Sequence, residues 1–204
     1  MKSIYKCTFS VILIAFLGYN SVYFQKLSTH KNQKNVTFDF NLFADSLYFK
    51  GILTNTKAID LNELLVQIKE NSDSAFKTHG NRLGIGNSAF FMVKSQGKVS
   101  KIDNGQLTIA ALNGSFINLE TKYIFGNAIR DASGLVKLTD FKTNADFNKV
   151  SEALNTVIRE KVLPKNISKI KIGDEISFTG ALKLSKKEVL GLVILPVFIT
   201  LKEK

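Results

Sequence analysis

The chain has 204 residues, of which 45% are hydrophobic and 22% charged, a composition that excludes disordered and collagen-like proteins. It carries 28 lysines and arginines against 17 acidic residues, a formal net charge of +11 that makes any acidic surface a candidate partner. The single cysteine, Cys7, excludes an internal disulfide and a zinc site built on several thiolates.

The first predicted element is an N-terminal membrane segment. Two lysines precede an apolar run over residues 7–24, which at 1.5 Å per residue reaches about 27 Å, close to the thickness of a bilayer core. No small-residue cleavage site follows the run, and Cys7 stands at the start of the run, where it cannot carry a lipid anchor. The sequence therefore predicts a retained signal anchor or transmembrane helix over 1–27, with cleavage as the alternative, and a basic tether over 28–37.

The remaining residues, 38–204, are predicted to form a single domain, because about 170 residues are enough to bury one core. We expect this C-terminal domain to be extracytoplasmic, in the periplasm, and held at the cell inner membrane by a single pass. The lysines that follow the apolar run act against this orientation, since positive charge favours the cytoplasmic side.

Helices are predicted at the start of the domain. The stretch 38–52 has apolar residues at helical spacing: Phe40, Phe43, Ala44, Leu47 and Tyr48. Asp60 is the predicted N-cap of the next helix, with Glu63 three residues later as in a capping box. A further short helical turn, Asp73 to Lys77, is expected to end at Gly80.

The pattern then changes to that of β-strands. Ala89–Ile102, Gln106–Leu112 and Ser115–Tyr123 contain alternating apolar residues. Asn113-Gly114 indicates a hairpin between the second and third of these strands, since both residues tolerate positive φ.

A helix and two strands complete the domain. The apolar stripe of Asn144–Val162 predicts a helix that ends at Leu163-Pro164. Ile176–Leu184 alternates, and Val189–Leu201 is an apolar run too short for a membrane span. We interpret this last run as a closing strand with an edge or a bulge at Pro196.

This order of elements predicts an α+β fold: an N-terminal membrane helix followed by helices packed on a small OB-like five-stranded β-barrel, in which closure removes exposed strand edges. The alternative is an open mixed antiparallel sheet with helices on one side.

Few residues offer catalytic or metal-binding chemistry. His30 lies in the tether and His79 stands alone before Gly80, so no metal-binding histidine pair is present in the sequence. The glycines at 80, 84 and 86 lack the spacing of a dinucleotide loop. We predict no enzyme, no catalytic residue, no metal and no cofactor. Nucleic acid is not an expected partner either, because the phenylalanines lie at core spacing and are not interleaved with basic residues.

Several blocks of the sequence resemble one family in their order and spacing. They are Lys57–Leu65, Gly80–Gly86, Val93–Val99, Gly126–Phe147, Ala153–Asn155 and Ile176–Ala181. The family is that of the predicted periplasmic lipoproteins numbered 2291 among the domains of unknown function. The blocks extend over nearly the whole chain after the anchor.

The resemblance implies an extracytoplasmic, membrane-attached bacterial protein with no established biochemical activity, of a family often encoded beside sugar transport systems of the ATP-binding-cassette (ABC) type. The sequence departs from the family in three places. No cysteine follows the apolar run, Phe125 stands where an arginine is expected, and Lys122 stands where a proline is usual.

Four residues are candidate contacts with a ligand or partner. Arg130 and Asp131 lie between two glycines that allow close backbone approach, and an arginine fork can hold a carboxylate or a hydroxyl-rich ligand. A structural ion pair between these two residues is the alternative. Arg82 and Lys98, from two other matching blocks, complete the set.

The predicted function is that of an accessory or binding module associated with an ABC-type sugar transport system, whose partner is a transporter component or its solute. The alternative is a structural envelope protein without a ligand, whose basic face contacts anionic lipid headgroups.

Overall fold

The computed structural model describes residues 38–55, 57–82, 86–186 and 192–202. The predicted anchor (1–27) and tether (28–37) lie outside these ranges, so the division of the chain into anchor, tether and domain remains a prediction. Within the described ranges, no helix has both the length and the apolar character that crossing a bilayer requires.

The described residues form helices, strands and a few irregular turns. The α-helices are α1 (Phe40–Ser46), α2 (Leu53–Asn55), α3 (Leu61–His79), α4 (Ala128–Ser133), α5 (Asn144–Thr156) and α6 (Leu163–Ile167). The strands are β1 (Ile59–Asp60), β2 (Ser88–Asp103), β3 (Gln106–Ala111), β4 (Phe116–Glu120), β5 (Glu175–Ser185) and β6 (Val193–Leu201). π-helical turns join α1 to α2 (Leu47–Ile52) and α5 to α6 (Val157–Val162), and a 3-10 turn spans Leu138–Asp140.

The first predicted helix is confirmed as α1, its π-helical turn and α2. The buried face of this continuous helix consists of Ala44, Leu47, Tyr48 and Ile52. The hydroxyl of Tyr48 donates a hydrogen bond to the carbonyl oxygen of Val197 in β6, at 2.8 Å. Burial raises the pKa of Tyr48, so this hydroxyl stays protonated and remains a donor.

Helix α3 begins at the predicted cap and contains a kink. The side chain of Asp60 accepts hydrogen bonds from the backbone N–H groups of Asn62 and Glu63, at 2.9 and 3.2 Å. Asn71 has a non-helical backbone (φ −152°, ψ 90°), and its side chain caps the segment that follows by accepting from the N–H of Ser74. This second segment contains the predicted turn and ends at Gly80.

Strand β2 connects most of the sheet. Along one edge it pairs antiparallel with β5 over Ser88–Lys98. Along the other it pairs in parallel with β1 at Val93 and Lys94, and antiparallel with β3 from Gly97 onward. β3 pairs antiparallel with β4, β4 meets β6 in a short parallel ladder, and β6 pairs antiparallel with β5.

Two Asn-Gly turns join β2, β3 and β4. At Asn104-Gly105 both residues have positive φ (39° and 88°), as the two-residue hairpin turn of type I′ requires. The predicted hairpin at Asn113-Gly114 is present, but of its two residues only Gly114 has positive φ (80°). The backbone bond between Ala111 and Ser115 makes residues 112–114 the loop.

The predicted fold class is wrong. In place of helices packed on a five-stranded OB-like barrel, the described residues form a mixed α+β fold with one six-stranded sheet, in the order β1-β2-β3-β4-β6-β5 with an additional pairing of β2 with β5. The additional strand, β1, is two residues long, and Asp60 within it is also the cap of α3. Such a strand has no alternating pattern that a sequence could show.

The later elements agree with the sequence except at one boundary. The helix predicted to end at Leu163-Pro164 continues as α6, because Pro164 lies in the first turn, where its missing N–H is not needed. The closing strand and its bulge are confirmed, with Pro196 at a shift of register opposite Thr179 and Gly180. Part of that predicted run, 189–191, lies outside the described residues.

We expect Gly97→Ala to destabilise the protein and Gly86→Ala to have little effect. A Cβ atom at Gly97 would overlap the carbonyl oxygen of Ala110 in the neighbouring strand, whereas a Cβ at Gly86 meets no atom of the described residues within 4 Å. Overpacking of this kind costs about 1–3 kcal/mol. Urea unfolding of both variants measures the difference, and equal midpoints would contradict the close approach of β2 and β3 at this position.

Candidate functional site

Helix α5 and the π-helical turn after it present two different faces. The apolar face that the sequence predicts is buried in the core and consists of Phe147, Val150, Leu154, Val157 and Ile158. Polar residues recur at intervals of three and four on another face: Asn148, Ser151, Glu152, Asn155, Thr156 and Arg159. This polar face forms one wall of a cleft.

The other wall is the loop Phe125–Asn127, which leads from β4 to α4, and the two walls enclose about 500 Å³. We call this site the loop–helix cleft. The side-chain amide of Asn155 donates to the carbonyl oxygen of Gly126 at 2.8 Å, and Arg159 donates to that of Ile124 at 3.2 Å. These two bonds hold the loop against the helix and fix the width of the cleft.

An aromatic ring and a guanidinium group lie at the mouth of the loop–helix cleft. Phe125 is 62% exposed, and the Cζ of Arg159 lies 5.1 Å from the centre of its ring. Arg159 belongs to the π-helical turn Val157–Val162, a rare irregularity that occurs frequently at functional sites. The stacked pair gives the cleft one apolar surface among its polar groups.

Ser151 is the least satisfied polar group in the loop–helix cleft. Its side chain lines the cleft although the residue is only 5% exposed, and its hydroxyl has no hydrogen-bond partner among the described residues. Leaving a buried hydroxyl unpaired costs about 1–3 kcal/mol. A ligand oxygen that bonds to Ser151 would therefore recover part of that free energy.

A buried ion pair lies behind the loop–helix cleft. Nη2 and Nε of Arg130 lie 2.7 and 2.8 Å from Oδ1 of Asp131, and both side chains are 2% exposed. Nη1 of Arg130 donates to the carbonyl oxygen of Phe147 at 2.9 Å, and the guanidinium lies 3.4 Å from the centre of that ring. Arg130 thereby joins α4 to the start of α5.

The carboxylate of Asp131 connects the ion pair to the cleft. Its second oxygen accepts a hydrogen bond from the side chain of Asn127, which lines the loop–helix cleft. Burial raises the pKa of Asp131, and the hydrogen bonds from Arg130 and Asn127 counteract that effect. Asp131 therefore positions a residue of the cleft through Asn127.

The sequence analysis predicts no helix around Arg130 and Asp131, and the structure places both residues in the short helix α4. Gly134 ends the helix in the left-handed conformation, with φ 64°, which glycine adopts without a steric penalty. A helix of one and a half turns is too short for periodicity to reveal.

The structure brings together some of the four predicted contact residues. Arg82 and Asp131 line a second cleft of about 320 Å³, beside the 3-10 turn. Arg130 is buried and fully engaged with protein groups, which favours the structural alternative for the pair. Lys98 lies apart, exposed on β2 opposite Glu175 of β5. Binding by any of the four remains a prediction.

The sequence analysis missed the residues of the loop–helix cleft, although a signal for them exists. Ser151 and Asn155 interrupt the predicted helix with polar side chains beside its apolar stripe, and both are buried. A polar stripe adjacent to a core stripe is also typical of an ordinary exposed helix face. Only the packing of the loop Phe125–Asn127 against the stripe distinguishes the two cases.

The lining of the loop–helix cleft favours binding of a small, neutral, polar molecule. Amides and hydroxyls both donate and accept hydrogen bonds, and the charges of Glu152 and Arg159 balance. Glu152 is the one carboxylate among the described lining residues. No group of His, Cys, Asp or Glu side chains within the described ranges is arranged to hold a metal ion.

The comparisons with known proteins first define a class. The chain is similar to an OB-fold protein of known crystal structure from Thermotoga maritima, with 25% sequence identity and a TM-score of 0.70, over 81% of this chain and 99% of that one. No curated protein matches the chain significantly. The class is therefore a mixed α+β domain with an OB-fold relative.

A family model then assigns the chain more closely. The model described as "Predicted periplasmic lipoprotein (DUF2291)" matches residues 12–200, so this protein belongs to that family, and the resemblance that the sequence blocks indicate is confirmed. The description of the family supports the predicted extracytoplasmic location.

We expect breaking the Arg130–Asp131 pair to lower the free energy of unfolding much more than breaking an exposed ion pair does. Arg130→Met leaves the Asp131 carboxylate buried and unpaired, which costs about 3–5 kcal/mol. The combined variant with Asp131→Leu should cost less than the sum of the two single variants, because it removes both charges together.

Lys101→Ala, which breaks the exposed pair with Asp103, is the matched control and should cost under about 1 kcal/mol. Denaturant unfolding of all four variants gives the coupling energy. A coupling near zero between Arg130 and Asp131 would contradict the structural role of the pair.

Proposed function

We propose that this protein is a membrane-attached, extracytoplasmic accessory module of an ABC-type sugar transport system, and that the loop–helix cleft is its site for the solute. The observation that carries the proposal is the cleft itself, with its fixed loop, its balanced charges and the unpartnered hydroxyl of Ser151.

The chemistry of the cleft matches a neutral, hydroxyl-rich solute. Each sugar hydroxyl donates and accepts a hydrogen bond, as do the amides of Asn148 and Asn155 and the hydroxyl of Thr156. The exposed ring of Phe125 offers a flat apolar surface for the C–H face of a sugar ring. A solute that satisfies Ser151 would be favoured over one that leaves it unpaired.

The family assignment supports the location of the proposed module. Attachment to the inner membrane by a single pass, with the domain in the periplasm, rests on the apolar run 7–24 in the sequence. Association with a transporter rests on the family resemblance. The alternative function, a structural envelope protein without a ligand, predicts that the cleft binds no solute.

We expect Ser151→Ala to weaken solute binding without loss of stability. The variant removes a hydroxyl that has no hydrogen-bond partner among the described residues, so affinity for a bound sugar should fall about fivefold, as for one neutral hydrogen bond. The melting temperature should stay unchanged or rise. Titration calorimetry with a panel of neutral pentoses and hexoses measures the affinity.

Ser72→Ala is the matched control, because Ser72 also has a buried hydroxyl without a hydrogen-bond partner among the described residues but does not line the loop–helix cleft. It should change neither affinity nor stability. If no sugar in the panel binds, the proposal that the cleft is a solute-binding site is wrong.

A second experiment tests the partner. The full-length chain, extracted from its own membrane in a mild detergent, should co-purify with a transporter component in a fixed ratio. Recovery of the chain with lipid alone would contradict the association with a transporter and favour the structural envelope function.

A further inference from the structure

The continuous helix α1–α2 carries exposed apolar residues on the side away from its buried face. Leu42, Phe49 and Leu53 follow one another at intervals of seven and four residues, which places them on one side of a helix. Together with Phe198 of β6 they are 39–69% exposed. We call these four residues the apolar stripe.

Basic side chains border the apolar stripe. Phe49, Leu53 and Phe198 line a shallow depression of about 500 Å³ together with Lys161, Lys165 and one acidic residue, Glu160. Lys161 forms an ion pair with Asp45 of α1, at 2.7 Å. Lys165 forms no ion pair with any residue in the described ranges. Lysines with apolar stems beside exposed leucine and phenylalanine are typical of a surface that lies in a membrane interface.

The path of the chain indicates what covers the apolar stripe. The described structure begins only a few residues before Leu42, and the sequence that precedes it is a basic segment of residues 28–37 after the apolar run 7–24. Thirteen residues, 25–37, separate the run from the described structure, and a chain of that length reaches at most about 47 Å when fully extended. If the apolar run is held in a bilayer, the apolar stripe is therefore the part of the domain nearest to the lipid along the chain.

We propose that the apolar stripe docks on an anionic membrane surface, with its leucine and phenylalanine side chains at the headgroup boundary and Lys165 beside a lipid phosphate. The proposal rests on the membrane attachment in the proposed function and adds an orientation to it. Within the stripe, the ring of Phe49 packs edge-to-face against the buried Tyr48, with ring centres 4.9 Å apart.

Fluorescence quenching by labelled lipids tests this orientation. In the full-length chain with Cys7→Ser, single cysteines are introduced as Phe49→Cys and Leu53→Cys, with Leu112→Cys as the control. Each carries a polarity-sensitive dye, and the protein is reconstituted into vesicles of phosphatidylcholine and phosphatidylglycerol with a nitroxide on the lipid headgroup. Leu112 is a stringent control because, at 84% exposed, it is more accessible than any residue of the stripe.

We expect strong quenching at positions 49 and 53 and weak quenching at 112, which lies in the β3–β4 loop tied to the start of α3 by the bond between Asn113 and Asn62. Lys165→Gln should weaken membrane contact about fivefold in the presence of phosphatidylglycerol, as for one lysine at an anionic surface. It should have no effect in pure phosphatidylcholine.

The outcomes separate this inference from the proposed function. Protein that floats with the vesicles but shows equal or no quenching at the three positions overturns the orientation and leaves the attachment standing. Protein that fails to float overturns both. Dye signals at positions 49 and 53 that depend on protein concentration and not on lipid would show a second copy of the chain on the stripe, and would also overturn the inference.

Discussion

The guanidinium group of Arg130 has no access to water, and a buried charge is stable only when it is paired and its hydrogen bonds are made. Asp131 supplies the opposite charge, and the carbonyl and ring of Phe147 complete the surroundings of the group. Because the same carboxylate also holds Asn127, the position of the cleft loop is linked to the neutrality of the core. Movement of the loop would therefore leave the second oxygen of the buried Asp131 carboxylate without its hydrogen bond from Asn127.

The backbone around the loop–helix cleft is irregular in both of its walls. Gly126 has positive φ (77°), and the neighbouring wall changes from an α-helix to a π-helical turn at Val157. Irregular backbone of this kind is tolerated where the surrounding structure fixes it, and here Asn155 and Arg159 do so through the loop carbonyls. The polar groups that face the cleft are thereby positioned before any ligand arrives, which lowers the entropic cost of binding.

Features of this fold that depend on neighbouring residues are largely predicted from the sequence. Features that depend on residues far apart in the chain are missed. The cap at Asp60 depends only on its immediate neighbours, so it is correctly predicted. Asn104-Gly105 is at least as strong a turn signal as Asn113-Gly114, but the sequence analysis predicts a hairpin only at Asn113-Gly114. Strand β1 and helix α4 are too short to show a period, and the number of strands, hence the fold class, depends on β1. The cleft was missed because its two walls lie more than twenty residues apart in the chain.

The hydrogen bond between Tyr48 and Val197 joins residues separated by 149 positions, and the ion pair between Asp45 and Lys161 spans 116. Contacts of such high sequence separation form late and slow the folding of a domain. Helix α1 thus completes its packing only when α5 and the last strand are both in place. For a chain that leaves the cytoplasm N-terminus first, the domain reaches its final packing only after nearly all of it has been exported.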